Sequence, residues 1–418
     1  MERWTKAEAQ CCVYNFGSLI DAQRTSLLDF LNAHFPPSVY RQHRARQQNA
    51  VRNAEHGKSL LSGAEQKFPR CIRKSEASGT PADLAGYAIV LTAGGDGERL
   101  RASLRELGAS DESLRDFTKA TFPLPGLPQG YGSLQANCAV IADLCRHSGL
   151  PVPVIITTGP AYSATAKVIP ETLQSYGNFG LANIRTIAQD ERLHLTAEGL
   201  IVAVCEGDLA RPAVNPDETG GPFVKLSAPG EHGEPSAIEW LRSFSCKKII
   251  ALQATGLYDP SVILAMAAAG KQHDCVGVGI LRTTFPPSDP FGTFVIVKRD
   301  GRESLAIVEQ GIRNDATRGL TDETGQYHLP YNTGLYVFDT ELLAGNALPD
   351  YATPPKEILP SLPRSPKIGY AITDIMPLAH SGAVLAVEPD SYENIKSAGD
   401  LPKLAALAQR FGIVDLCK

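Results

Sequence analysis

Apolar and polar positions follow two rhythms along this chain. From Tyr87 onward, uninterrupted apolar runs alternate with stretches of helical spacing: YAIVLTA, a helix from Ser133 to His147, VPVIITT, then a helix after Pro160. Runs of this kind fit strands buried on both faces. Further strand candidates are LIVAVC near 200, KKIIALQA near 250, CVGVGIL near 275, FGTFVIVK near 291 and TGLYVF near 333, with helices around 236–245 and 259–273. The β-α-β-α order predicts an α/β fold: a mostly parallel mixed sheet with helices on both faces, taking ligands at the carboxyl ends of its strands.

Residues 1 to about 82 read differently, as a helix-rich region. An apolar stretch from Ile20 to Phe35 stops at Pro36-Pro37, and a polar segment with Arg41, Arg44, Arg46, Arg52 and Lys58 follows. That segment could touch phosphate. A solvated helical face is the simpler account, because Gln, Asn and Ala dilute the basic residues and no aromatic residues interleave them. A loop from Ser75 to Pro81 separates this region from the main body.

Composition narrows the chemistry. Over 418 residues, 40 Lys+Arg stand against 45 Asp+Glu, a formal net charge of -5. No overall basic field exists to hold nucleic acid, so a small-molecule ligand is the better expectation. No apolar stretch approaches the roughly 20 residues needed to cross a bilayer, and a membrane partner is not expected. The opening MERWTKAEAQCC carries Glu and Lys before any apolar run, unlike a secretory signal. Nine scattered cysteines without metal-ligand spacing read as reduced thiols, and Cys138 and Cys145 share a helix face with Leu134 and Ile141 as small hydrophobes. Together these features point to the cytoplasm. No heptad run or comparable signature speaks to oligomeric state.

The first predicted strand runs straight into Ala93, Gly94, Gly95, Asp96, Gly97, Glu98, Arg99 and Leu100. Consecutive glycines after a buried strand let the backbone approach a ligand and turn N–H groups toward phosphate oxygens, and Arg99 adds a planar multi-donor cation. The loop is neither a Walker A motif nor a GxGxxG fingerprint. A structural turn would explain the glycines alone, but not the arginine.

LTAGGDGERL, followed by Lys119 in FTKATFPLPGLPQGYGSL, resembles the nucleotide-binding start of sugar-1-phosphate nucleotidyltransferases. VPVIITTG, NFGLANIRTIAQDERLHL, NPDETGGPFVKL and DSYENIKSAGD continue the resemblance in order, and narrow it to the eukaryote-type UDP-N-acetylglucosamine and UDP-glucose pyrophosphorylases over about residues 85 to 405. The resemblance implies a Rossmann-like, glycosyltransferase A-type core over 83–345, a helical N-terminal cap over 1–82, and a C-terminal region, 346–418, completing the sugar-phosphate site.

The reaction it implies is attack of a sugar 1-phosphate on the α-phosphorus of a nucleoside triphosphate, with loss of pyrophosphate. Positioning and charge neutralisation dominate such chemistry. The resemblance places Ala93, Gly94, Gly95, Asp96 and Gly97 around the triphosphate, Arg99 on the departing pyrophosphate, Lys119 beside the α-phosphate and Lys396 on the sugar phosphate. Gln189, Gly220 and Gly221 would read the base. Thr158, Gly292 at the start of the strand after Phe291, Glu309 and Asn332 would contact the sugar.

The metal is where this sequence departs from the family. Thr255-Gly256 stands where the family has an Asp, and Thr is a poor ligand for the magnesium ion that the resemblance implies. Asp374 and Asp259 are the carboxylates that could compensate, although Asp259 before Pro260 also reads as a helix N-cap. UTP is the expected donor, with N-acetylglucosamine or glucose 1-phosphate as acceptor. Two alternatives stay open: CTP or GTP with another phosphorylated sugar, cyclitol or phosphonate, and a catalytically impaired nucleotide-sugar-binding protein.

Overall fold

The computed structural model describes residues 2–62, 64–95, 97–114, 116–128, 130–230, 233–286, 291–299, 301–345, 348–353 and 364–418. Two compact units make up the chain, and neither is continuous in sequence: the first comprises Met1–Leu60, Asp190–Gly221 and Leu348–Ile372, the second Leu61–Gln189, Pro222–Ala347 and Thr373–Lys418.

The second unit is built on an 11-stranded sheet. Its strands are β1 (Glu65–Lys67), β2 (Cys71–Arg73), β3 (Tyr87–Thr92), β4 (Val154–Thr158), β5 (Ile184–Ala188), β6 (Lys248–Gln253), β7 (Cys275–Arg282), β8 (Thr293–Arg299), β9 (Arg302–Val308), β10 (His328–Asp339) and β11 (Gly382–Val387). They lie in the order β2-β11-β7-β10-β6-β3-β4-β5, and β8 joins β1, β9 and β10 to one another. Within the main row only β10 runs against its neighbours; the contacts of β3 with β4 and β6, of β4 with β5, and of β11 with β7 and β2 are all parallel. The mixed, mostly parallel sheet is the expected fold class.

Local chemistry sets the element ends. YAIVLT of β3 is buried at every position but the last, as the inner strand of a covered sheet must be. α1 (Glu98–Glu106) begins at Gly97, whose φ of +67° is a left-handed conformation that glycine adopts without strain. α2 (Ser133–Ser148) stops at Gly149, again with positive φ, 68°. The hydroxyl of Ser163 caps α3 (Ala164–Ser175) by accepting the Ala166 N–H. Asp259, followed by Pro260, caps α4 (Pro260–Gly270). One continuous core joins Ile89, Leu91, Leu134, Ile141, Ile156, Leu252 and Val278. Truncating any of these to Ala would cost about 2–5 kcal/mol.

The first unit has its own core. Helices Lys6–Cys12 and Asp21–His34 supply Ala9, Leu27 and Leu31, which pack with Trp4, Phe16, Tyr40, Leu193 and Ile201. The Trp4 indole N–H donates to the Phe35 carbonyl at 2.7 Å, so the ring is buried without an orphaned donor. Two short antiparallel pairs complete it, Ala203–Glu206 with Leu209–Pro212 and Glu191–Leu193 with Val214–Pro216.

Three expectations are corrected. LIVAVC is not a strand of the main sheet: Ala203–Glu206 turns back at Gly207 into a hairpin of the first unit, and its last two residues are exposed. β1 and β2 lie within residues 1–82 yet belong to the main sheet, so that region is not wholly a helical cap. The boundaries at 82/83 and 345/346 likewise give way, because 190–221 and 348–372 fold with the N-terminal helices. All nine cysteines are unpaired, with Cys138 buried on α2. Among the described residues, no helix is long and apolar enough to cross a membrane.

Candidate active site

At the carboxyl end of β3 the chain enters the glycine loop under steric constraint. The Ala93 N–H still donates to the Thr157 carbonyl, at 3.0 Å. A Cβ on Gly94 would lie 2.6 Å from Gln189 Nε2 and 2.9 Å from the Thr158 carbonyl oxygen, so a larger residue would displace both. Gln189 is buried, and its Nε2 donates to the Gly94 carbonyl at 3.3 Å. Gly95, by contrast, is exposed with nothing within 4 Å of its missing Cβ. A Cβ on Gly97 would sit 2.9 Å from the Phe117 ring and 3.0 Å from Lys119 Cβ, so the loop folds directly over the segment carrying Lys119. Asp96 lies outside the described residues. Thr158 supports this loop: its side chain is buried and its hydroxyl donates to the Gly159 carbonyl at 2.9 Å, so the hydroxyl expected on the sugar is already engaged.

Three cations from separate stretches of chain converge beside the loop. Arg99 is exposed on the first turn of α1, Lys119 is half-buried, and Lys396 is exposed. Burial, then the charges of Arg99 and Lys396, press the Lys119 ammonium down to a pKa of about 8, against a weaker opposing pull from Asp400. An ammonium in this position carries an unmet demand for negative charge. The Lys396 ammonium stands 4.4 Å from the centroid of the Phe291 ring, itself stacked on Tyr331 at 4.8 Å.

The residues expected on the sugar also come together. A Cβ on Gly292 would meet the Glu309 carboxylate oxygens at 3.0 and 3.2 Å, and the Asn332 N–H donates to the Gly292 carbonyl at 2.8 Å. Glu309 is exposed by surface area, yet protein crowds its carboxylate enough to push its pKa upward, with Arg313 opposing. The Asn332 amide is held by Tyr336: its Nδ2 lies 2.8 Å from the hydroxyl, and its Oδ1 accepts the Gly334 N–H at 2.9 Å. Gly334, with φ +82°, forms the bulge in β10 that re-aims this side chain.

The two carboxylates proposed for a metal sit in different settings. Asp259 is the N-cap of α4, accepting the Ser261 N–H at 2.9 Å, and its other oxygen pairs with Lys74. Burial raises its pKa, but these donors outweigh burial and hold it below the usual carboxylate range. Both oxygens thus already serve structural partners, the role that the N-cap reading of Asp259 expects. Asp374 lies in the 3-10 helix Ile372–Leu378, and burial lifts its pKa to about 6. At the position of the missing Asp, Thr255 donates to Asn394 Oδ1 at 2.9 Å and Asn394 in turn bonds Gln253, a wholly neutral cluster. Among the described residues no group of three or more His, Cys, Asp or Glu side chains could hold a metal ion. A magnesium ion here would take most of its ligands from substrate phosphates and water.

The glycine pair belongs to the first unit. Gly220 donates its N–H to the Tyr370 carbonyl at 2.7 Å and Gly221 donates to the Asp217 carbonyl at 3.1 Å. Both N–H groups are therefore engaged within the protein. A Cβ on Gly220 would lie 2.8 Å from backbone carbons of Tyr370 and Ala371, so close packing explains this glycine. Asp217 is held by Arg192 through two contacts, 2.8 and 2.6 Å.

Sequence reasoning missed Phe117, which floors the glycine loop, and the Gln253–Asn394–Thr255 cluster. Neutral amides have no spacing signature, and Gln253 and Asn394 are 141 positions apart.

No family model matches the chain, and no curated protein matches its sequence. Solved structures do match in fold. UDP-N-acetylglucosamine pyrophosphorylase from Trypanosoma brucei, solved with an inhibitor, is 16% identical with a TM-score of 0.67, covering 94% of this chain and 79% of that one. An Entamoeba histolytica protein assigned as a UDP-N-acetylglucosamine pyrophosphorylase is 19% identical with a TM-score of 0.58, over 75% of this chain and 78% of that one. A variant of Leishmania major UDP-glucose pyrophosphorylase, in complex with UDP-glucose, is 13% identical with a TM-score of 0.55, over 85% and 78%. The chain shares the fold of these enzymes.

Proposed function

We propose that the chain is a sugar-1-phosphate nucleotidyltransferase that joins a nucleoside monophosphate from UTP to a sugar 1-phosphate and releases pyrophosphate. The observation that carries this reading is that the glycine loop at the end of β3 folds directly over Lys119, with Arg99 and Lys396 close enough to press its pKa down. A binding surface for a neutral ligand has no use for three gathered cations. A substrate with a triphosphate and a second phosphate does.

In this reading a phosphate oxygen of the sugar 1-phosphate attacks the α-phosphorus of UTP. The bond from that phosphorus to the β-phosphate's bridging oxygen breaks, and pyrophosphate leaves with the electron pair. Backbone N–H groups around Gly95 face the triphosphate. Arg99 neutralises the departing pyrophosphate, Lys119 the crowded α-phosphate and Lys396 the incoming phosphate. Glu309, Gly292 and Asn332 hold the sugar. Gln189 supplies an amide to the base, and N-acetylglucosamine or glucose 1-phosphate is the acceptor. Magnesium, implied by the resemblance, would accompany the nucleotide as its counter-ion.

A second reading, with CTP or GTP as donor, draws support from the occupied N–H groups of Gly220 and Gly221. The test is pyrophosphate release from each of the four nucleoside triphosphates with N-acetylglucosamine or glucose 1-phosphate. UTP is expected to give the fastest release. Faster release with CTP or GTP would transfer the assignment to that base, and none with any pair would leave a binding protein.

A further inference from the structure

Lys396 lies two residues past a strand whose last residue, Asn394, is held by neutral side chains. Tyr392–Asn394 pairs antiparallel with Gly256–Tyr258, with Asn394 opposite Gly256. The Thr255 hydroxyl donates to Asn394 Oδ1 at 2.9 Å, the Asn394 Nδ2 donates to Gln253 Oε1, and the Ile395 N–H donates to the Thr255 carbonyl at 3.0 Å. The anchor is rigid in its turn. From α2, the Ser133 hydroxyl donates to the Ala254 carbonyl and Asn137 Nδ2 to the Gly256 carbonyl, both at 2.8 Å. On the far side, the N–H groups of Lys396 and Ser397 converge on the Asp400 carboxylate at 2.9 and 2.8 Å.

An exposed lysine loses much rotamer freedom when it is fixed on a ligand, and that loss is smaller when its backbone is already pinned and its ammonium already rests over a ring face. Lys396 has both aids, the stitched strand and the Phe291 ring. We propose that Thr255 and Asn394 are positioning residues for Lys396, and that this role occupies the place where the resemblance leads one to expect a metal-binding Asp. The proposal rests on the reading of Lys396 as a sugar-phosphate ligand. A carboxylate at 255 could not donate to Asn394 Oδ1 as the threonine hydroxyl does, and would require the amide to turn over.

A double-mutant cycle tests this. Thr255→Val should raise KM for the sugar 1-phosphate about tenfold and leave KM for UTP within about twofold, since only the Lys396 side loses its alignment. Thr255→Ser, which keeps the hydroxyl, should recover most of that loss, and Asn394→Leu, which removes the acceptor, serves as a second variant should Thr255→Val fold poorly. In a Lys396→Ala background, Thr255→Val should add less than about a twofold further loss. Thr255→Asp should be at least as damaging as Thr255→Val. Independent, additive losses, or better turnover by Thr255→Asp at low magnesium, would overturn the proposal. If the unsubstituted protein releases no pyrophosphate, the function reading fails by itself. The same cycle is then read in calorimetric affinity for UDP-N-acetylglucosamine, where coupling upholds the positioning role and either additivity or absence of binding overturns it.

Discussion

Arg192 in the first unit and Lys119 in the second are both cations withdrawn from water, and their surroundings treat them in opposite ways. Arg192 meets the Asp217 carboxylate through Nε at 2.8 Å and Nη2 at 2.6 Å, with His43 beside Nη1 at 3.3 Å. His43 is driven down to a pKa of about 3 by burial and then by Arg192 and Arg46, so it adds no competing charge at neutral pH. Lys119 instead faces Arg99 and Lys396, and only the weaker influence of Asp400 opposes them. The first arrangement closes on itself and holds a loop. The second costs stability in the free protein and would be relieved by an anion, which is why the proposed chemistry is assigned there.

The largest effect expected is on turnover. Lys119→Ala should lower kcat/KM by about 10²–10⁴-fold with the fold intact, because a charge directed at the transition state is lost. Steady-state pyrophosphate release, with circular dichroism as the check on folding, measures this. In the first unit the effect should fall on stability: Arg192→Ala leaves Asp217 buried and unpaired, a cost of about 3–5 kcal/mol, visible in denaturant unfolding. If that variant were fully stable and Lys119→Ala fully active, the contrast between the two regions would collapse.

Smaller effects sharpen the same contrast. Lys119→Met should stabilise the free protein by about 1–3 kcal/mol at neutral pH, since it removes a charge that folding disfavours. The sign follows from a lysine pKa lowered to about 8 from an unfolded value of 10.5. The native state holds fewer protons between these values, so the penalty is present below about 8 and disappears as pH rises toward 10.5. The gain should fade over that interval in thermal melts. For the same reason kcat/KM should fall as pH rises through about 8, while kcat holds to higher pH because bound phosphate restores the lysine's charge. The smallest effect concerns Asp374, whose pKa burial raises to about 6. Asp374→Asn should stabilise the protein at pH 7 by up to about 3 kcal/mol, and the gain should vanish as pH falls below the usual carboxylate range.

The second unit was largely legible in the sequence because its inner strands carry a pattern that burial on both faces demands. β3, β4, β6 and β7 coincide with apolar runs plain in the sequence. β9 begins with Arg302 and Glu303 at a solvated end, and β1 is Glu-Gln-Lys pairing only with β8, so neither has such a run. LIVAVC carries the right composition in the wrong unit, since composition reports burial and not partner. The cation trio was legible through motifs. The Thr255–Asn394 cluster was not, because neutral amides and hydroxyls are commonplace along a chain and acquire meaning only when folding brings them into contact.

The most direct test of the account is exchange of radiolabelled pyrophosphate into nucleoside triphosphate. Incubated with UDP-N-acetylglucosamine or UDP-glucose, labelled pyrophosphate and magnesium, the protein is predicted to form labelled UTP, and Lys119→Ala to form almost none. Absence of label from every nucleoside triphosphate with every nucleotide sugar tried, in a protein that binds those sugars, would contradict it.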